Sequence, residues 1–227
     1  MVAETVWHPL KHNAVILLNN METNPTVYQI VKDAILLLFA GIGSYSAFYG
    51  LKAWRKQLKG KTEYELARRI LLSVYKIRDG IKMVRHPFMS GGEIYEAKKK
   101  YKEQNPEINL TEKEIENYAV YENRWKAINE AFSSLNVDLL EAEVMWGNIF
   151  KDDLHSLNRL SIKLMVAIRH YLKYHFQSYM SERDTEKYEE YELLVYDHSS
   201  ENEEDEFGIK INNVVSRFEQ KLKKYLK

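Results

Sequence analysis

The sequence predicts an all-α protein in which a single N-terminal transmembrane helix precedes a cytoplasmic helical bundle. Only 4 of the 227 residues are proline and 9 are glycine, and so few turn-forming residues favour long helices over strands and turns. Beyond position 62, apolar residues recur at three- and four-residue steps, as they do on one face of a helix. Near the N terminus, an uncharged run is long enough to cross a bilayer.

The first element is the candidate span. Residues 34–51 carry no charge, and a bilayer core needs about 20 apolar residues in a helix. Asn24 and Pro25 suit the start of this helix, as N-cap and first-turn residue, so residues 1–24 are expected to form a short outer tail. A buried core helix is the alternative interpretation. A cleavable signal peptide fits poorly, because the segment before the run is long and not basic.

Basic residues follow the uncharged run directly, and they set its predicted orientation. They are Lys52, Arg55, Lys56, Lys59 and Lys61. Residues 1–31 hold only one full positive charge, at Lys11. Positive charge marks the cytoplasmic side of a span. We therefore expect residues 25–61 to form the transmembrane helix with its basic juxtamembrane end, the N terminus to lie outside, and the lipid bilayer to be the first partner.

Small residues line one face of the candidate span. Gly43, Ala47 and Gly50 follow each other at four- and three-residue steps. Small residues at this spacing allow two transmembrane helices to approach closely. The sequence therefore predicts self-association through this face, although small residues are also common in any membrane helix.

Residues 62–180 are expected to form the cytoplasmic bundle. Two capping boxes, Thr62 with Glu65 and Thr111 with Glu114, each predict the start of a helix. The expected helices cover residues 62–85, 93–104, 111–136, 139–146 and 151–180.

The last two segments differ in charge. Residues 181–208 are rich in acidic side chains, which predicts a solvated or partly disordered linker. Residues 209–227 are basic and amphipathic, with Val214, Val215 and Phe218 on the apolar side. This helix can dock on the bundle, lie on the membrane or pair with a partner helix, and docking is the default expectation.

The composition excludes several kinds of chemistry. Cysteine is absent, so there is no disulfide framework, thiolate metal site or cysteine nucleophile. The 33 basic and 33 acidic residues balance, which excludes a generally basic nucleic-acid coat, and no DNA partner is expected. The sequence has no glycine-rich phosphate loop and no Gly-x-Ser-x-Gly elbow. We expect no cofactor.

A metal site is also not expected. Asp152 and His155 are three residues apart, so they share a helix face. A carboxylate-bridged metal bundle, however, needs glutamates and Glu-x-x-His motifs from several helices.

One segment resembles a catalytic motif. Arg169, His170 and, five residues later, His175 resemble the Arg-polar-x4-His motif of HEPN ribonucleases. The resemblance implies an all-α bundle that cleaves RNA without metal, at a site shared between two protomers. It implies that Arg169 stabilises the phosphate charge and that His175 transfers a proton, with His170 in the polar position. The structural alternative is that Arg169 and His170 are exposed helix residues and that His175 is a partly buried, hydrogen-bonded one.

The leading functional expectation is non-enzymatic. It is a membrane-anchored interaction or effector module that binds a protein partner, or forms a homo-oligomer, at the cytoplasmic face. The alternative is a membrane-tethered HEPN-like ribonuclease, such as a toxin or defence effector, and RNA is a partner only in that case. A third interpretation is a membrane-perturbing effector that oligomerises through its span.

Overall fold

The fold is described from a computed structural model, which describes residues 25–177, 179–197 and 205–226. The predicted outer tail and Asn24 lie outside these ranges. Within them the chain forms six α-helices and no strand, which confirms the predicted all-α class. The helices are α1 (Pro25–Val84), α2 (Gly91–Gln104), α3 (Glu112–Trp146), α4 (Lys151–His175), α5 (Glu182–Val195) and α6 (Glu206–Leu222).

The chain divides into two compact units, residues 1–60 and 61–227, and α1 contributes residues to both. The prediction that a new helix starts at the Thr62–Glu65 capping box is wrong, because α1 runs through these positions without a break. No proline lies between Pro25 and Thr62, and in the ten residues before Thr62 the one helix-weakening residue is Gly60. One helical glycine costs only about 1 kcal/mol, which a long helix tolerates.

In the first unit, α1 is exposed over nearly all of its described length. Val31 is half-buried, and the other described side chains up to residue 60 are exposed. They include large apolar side chains such as Leu37 and Phe39, which are 74% and 68% exposed. By length and composition alone, this stretch of α1 is suited to crossing a membrane, and none of its most apolar 18-residue window is buried in protein.

The second unit is a bundle of four long helices: the 61–84 part of α1, α3, α4 and α6. Arg69, early in this part of α1, forms an ion pair with Asp138, late in α3. Gly80, late in α1, lies against Ile128, which is earlier in α3. These two contacts show that α1 and α3 run antiparallel.

The last helix, α6, is antiparallel to α1 as well. The Tyr75 hydroxyl donates a hydrogen bond of 2.7 Å to Glu219, late in α6. Arg85, just beyond the end of α1, binds Asp205, just before α6 begins. The core between the helices consists of fully buried aliphatic and aromatic side chains, among them Leu66, Ile70, Val74, Ile77, Ile128, Leu135, Leu157, Leu164, Phe218 and Leu222.

Docking of the C-terminal helix on the bundle, the default of the three predicted placements, is what the structure shows. Six residues of α6 are buried in the main core: Phe207, Ile211, Val214, Val215, Phe218 and Leu222. Asp153, early in α4, accepts hydrogen bonds of 2.6 Å from Arg217 and 2.5 Å from Lys221, which lie late in α6. The helix covers Glu206–Leu222, so it begins three residues before the predicted start.

The two short helices lie in the connections between the long ones. Ser90 caps the N terminus of α2, and Ala97 of α2 packs on Ala119 and Val120 of α3. The buried guanidinium of Arg124 binds both carboxylate oxygens of Glu93, at 2.6 and 2.9 Å. It also donates to one main-chain carbonyl at the end of α1 and to two in the loop before α2, so one side chain fixes that connection.

The predicted acidic linker over 181–208 is wrong for residues 182–195, which form α5. Ser181 and Asp184 form a capping box at its N terminus, and the tyrosines of α5 pack on α4. Glu182, Glu186, Glu189 and Glu190 are exposed, so this helix has an acidic face toward solvent and an aromatic face toward α4. Residues 198–204 lie outside the described ranges.

Two predicted boundaries also differ from the structure. The helices predicted over 111–136 and 139–146 are one helix, α3, because no proline or glycine interrupts the sequence before Gly147. The helix predicted over 151–180 ends at His175, five residues earlier than expected.

Candidate functional site

The motif residues Arg169, His170 and His175 all lie on α4, but they face different neighbours. Arg169 is exposed and lines a groove between α4 and α3. His170 is half-buried and stacks on Tyr191 of α5, with the ring centroids 5.1 Å apart. His175 also faces α5, where its Nδ1 lies 3.2 Å from the hydroxyl of Tyr188.

This placement follows from helix geometry. Two side chains six positions apart on an α-helix point in directions that differ by about 120° around the helix axis. Arg169 therefore belongs to the α3 side of α4, and His175 belongs to the α5 side. Within one copy of the chain, the structure does not bring Arg169 and His175 into a common cleft.

A chain of tyrosine hydroxyls continues inward from His175. The Tyr188 hydroxyl donates to the Tyr171 hydroxyl at 3.2 Å, and the Tyr171 and Tyr196 hydroxyls are 3.1 Å apart. Tyr171 is 5% exposed, and its ring stacks on that of Tyr188, with the centroids 5.0 Å apart. These contacts fix α5 on α4 through stacked aromatic rings and hydrogen bonds between hydroxyl groups.

The electrostatics of this cluster suit a structural role. Burial, and then the hydrogen bonds with Tyr188 and Tyr196, raise the pKa of Tyr171 well above its ordinary value. Burial also raises the pKa of Tyr121, whose hydroxyl lies near Tyr196 without the geometry of a hydrogen bond. Both phenols therefore stay protonated at neutral pH, so neither serves as a general base.

The groove between α3 and α4 holds two cavities, one near each end. The first has a volume of about 270 Å³ and the second of about 420 Å³. Tyr118 of α3 and Leu172 of α4 both line the first cavity, whereas Leu139 and Leu154 both line the second. The two helices are therefore antiparallel, and one cavity lies toward each end of the surface between them.

Each cavity is lined by one glutamate of α3 and one cation of α4. Glu122 and Arg169 line the first cavity, and Glu143 and Lys151 line the second. Within the described part of the chain, none of these four side chains forms an ion pair or a side-chain hydrogen bond. Their charged groups are therefore available to an incoming molecule.

Apolar side chains are exposed on the helices that border this groove. Leu140 of α3 is 66% exposed, and Ile162 and Val166 of α4 are 56% and 41% exposed. Val144, one turn after Leu140, is 88% exposed. The α3–α4 groove, which we define by its two cavities and these apolar residues, thus combines apolar surface with paired opposite charges.

The predicted packing face of the span is open in the structure. Apart from the neighbouring residues and backbone of its own helix, nothing lies within 4 Å of a Cβ built on Gly43 or Gly50, and Ala47 is exposed. The predicted juxtamembrane cations are all exposed as well. These are Lys52, Arg55, Lys56, Lys59 and Lys61. Among the residues that the structure describes, no three metal-ligating side chains come together, and Asp152 and His155 are both exposed.

Sequence reasoning missed both the tyrosine cluster and the α3–α4 groove. Tyr188, Tyr191 and Val195 recur at helical spacing, and this pattern indicates a packed helix despite the surrounding acidic residues. The groove had no comparable signal, because it depends on which faces of α3 and α4 remain uncovered after packing. Comparison with protein-family models, curated protein sequences and solved structures gives no match to this chain.

Proposed function

We propose that the protein is a membrane-anchored α-helical interaction module, non-enzymatic, with its helical bundle at the cytoplasmic face. The observation that carries this proposal is the exposure of the apolar part of α1. None of its most apolar window is buried in protein, whereas the core helix of a soluble protein buries such a surface. A lipid bilayer is the environment that such a surface favours.

Charge supports the proposed orientation. The cations from Lys52 to Lys61 directly follow the apolar window and are exposed. Because positively charged flanks remain in the cytoplasm, the second unit is cytoplasmic and the N terminus is outside. The bundle then presents its free surfaces to partners at the inner face of the membrane.

The arrangement of the buried polar groups favours binding over catalysis. Buried Arg124 and Asp153 are each held by structural ion pairs. The buried tyrosine hydroxyls are held in the neutral state. Arg169 and His175 face different helices. These groups fix the bundle, and none of them forms an acid–base pair beside an open cavity.

The test measures anchoring and orientation separately. Carbonate extraction of isolated membranes should leave the full chain in the pellet, and a green fluorescent protein fused after Lys227 should be fluorescent, as in the cytoplasm. Leu38→Arg with Ile42→Arg should release the chain, because each central arginine costs about 2.5–3.5 kcal/mol of insertion free energy. Leu193→Arg, at an exposed position of α5, is the matched control and should stay in the pellet. Release of the wild-type chain by carbonate would contradict the proposal.

A further inference from the structure

The α3–α4 groove repeats one pattern at its two ends. Glu122 and Arg169 line one cavity, and Glu143 and Lys151 line the other. In both cases the acid belongs to α3 and the base belongs to α4. The two members of each set lie at the same level along the bundle, because they line the same cavity.

A surface with this pattern is complementary to itself. A two-fold axis that runs parallel to the helices above the groove places α3 of one copy against α4 of another. Since the axis keeps every residue at its own level, Glu122 then faces Arg169 of the second copy, and Glu143 faces Lys151 of the second copy. Such an isologous contact uses the same patch on both subunits.

From this self-complementarity we infer that the α3–α4 groove is a homodimer interface, occupied by the same groove of a second copy of the chain. The inference rests on the proposed function as an interaction module and names the partner of its bundle. The exposed side chains of Leu140 and Ile162 supply apolar area that this contact removes from water. The interface therefore has apolar contacts in addition to two charge pairs per subunit.

The charges disfavour the other classes of occupant. RNA and anionic lipid headgroups both present phosphates, and in each cavity the repulsion from Glu122 or Glu143 offsets the attraction to Arg169 or Lys151. The remaining charges near the groove are of mixed sign, with Lys126 on α3 and Asp152 on α4. A partner with one sign of charge meets one attractive and one repulsive group at each cavity, whereas a second copy places an opposite charge against every one of the four groups.

The experiment uses the full chain in lipid bilayers, with energy transfer between copies as the readout. The chain has no cysteine, so Glu107→Cys in the exposed loop between α2 and α3 gives a single labelling position. Donor- and acceptor-labelled copies are mixed in vesicles of neutral phosphatidylcholine. Energy transfer should rise with protein density and should be competed by unlabelled wild-type chain.

Charge reversal tests the predicted pairs directly. Glu122→Arg alone and Arg169→Glu alone should each weaken dimerisation by about tenfold or more, because like charges then meet across the interface. The double variant should restore dimerisation, since the opposite charges face each other again. Glu96→Arg, at an exposed position of α2, is the control and should leave dimerisation unchanged.

Two further variants separate the groove from the span. Ile162→Asp should abolish the energy transfer, whereas Leu193→Asp, at an exposed position of α5, should not. Ala47→Leu changes the small-residue face of the span and should leave the groove contact intact. The inference is overturned if wild type shows no specific energy transfer, if the double charge reversal fails to restore it, or if only Ala47→Leu removes it. Carbonate extraction of the same variants reports anchoring independently.

Discussion

The Arg85 guanidinium donates hydrogen bonds of 2.6 and 2.9 Å to the two carboxylate oxygens of Asp205, a residue 120 positions later in the chain. The guanidinium also donates to the main-chain carbonyls of Leu194 and Tyr196, at 2.9 and 2.7 Å. The Arg85 side chain is only 3% exposed. One buried cation therefore joins the end of α1 to the end of α5 and to the start of α6.

We expect Arg85→Met to be among the most destabilising single changes in the bundle. The substitution keeps an apolar stem but leaves a mostly buried carboxylate and two carbonyls without their donor. Breaking a buried pair in this way costs about 3–5 kcal/mol. The free energy of unfolding, measured by urea titration with circular dichroism, should fall by that amount.

Lys210→Met is the matched control for this change. Lys210 pairs with Glu206 on the surface of α6, and the two side chains are 56% and 80% exposed. An exposed pair contributes about 0–1 kcal/mol. Equal losses for the two variants would show that the Arg85–Asp205 contact is not a major stabilising element.

The same contacts predict acid sensitivity. Burial opposes ionisation of Asp205, but hydrogen bonds from Arg85 and from main-chain amides outweigh it and lower the pKa from the ordinary value of 3.8. The Arg124 hydrogen bond likewise lowers the pKa of Glu93. Groups with a lowered folded-state pKa stabilise the fold above their unfolded pKa and lose this effect as the pH falls through the folded value.

The contribution of Asp205 and Glu93 to the free energy of unfolding should therefore be nearly constant between about pH 5 and 7. It should decrease as the pH is lowered further, from about pH 4 downward. Urea titrations across this range measure it. Asp205→Asn should be less stable at pH 7 and should show a shallower fall in acid. An unchanged slope in this variant would mean that other carboxyl groups cause the acid sensitivity.

A close helix contact gives the third prediction. A Cβ built on Gly80 would lie 2.7 Å from Cγ1 of Ile128, which is fully buried. Gly80→Ala should therefore destabilise the bundle, because overpacking costs about 1–3 kcal/mol and exceeds the helix-propensity gain of about 1 kcal/mol. In the Ile128→Ala background, the same change should be neutral or stabilising. A stabilising effect in wild type would show that α1 and α3 move apart easily.

The all-α class followed from the sequence because helix periodicity and the scarcity of proline and glycine are local properties. The capping box at Thr111 and Glu114 marked the start of α3 correctly, whereas that at Thr62 and Glu65 did not mark a start. A capping box acts only where a helix has free amide groups at its N terminus. At Thr62 and Glu65 the amide groups are already bonded within the continuous helix α1. Whether α1 is continuous there depends on the residues before position 62.

The roles of Arg85, Arg124 and Asp153 were beyond sequence reasoning. Each binds residues far along the chain, and their partners are set by the antiparallel order of the helices. The same limit applies to the Arg169–His175 motif. Sequence spacing gives the angle between the two side chains around α4. It does not give the helices that they face, α3 and α5, because the positions of those helices follow from tertiary packing.

RNA cleavage distinguishes the interaction module from the ribonuclease. Arg169→Ala should leave stability almost unchanged, because the side chain is exposed and forms no ion pair with a described residue. His175→Ala should cost about 1 kcal/mol through loss of the hydrogen bond to Tyr188. With the full chain in vesicles, cleavage of a fluorescent single-stranded RNA should be absent from wild type and from both variants. The opposite result has two parts. Wild type would cleave the RNA, and the cleavage rate would fall by about 10²–10⁴ in both variants, with their circular dichroism and carbonate extraction unchanged. That result would contradict the non-enzymatic proposal and would mean that Arg169 and His175 from two copies form one site.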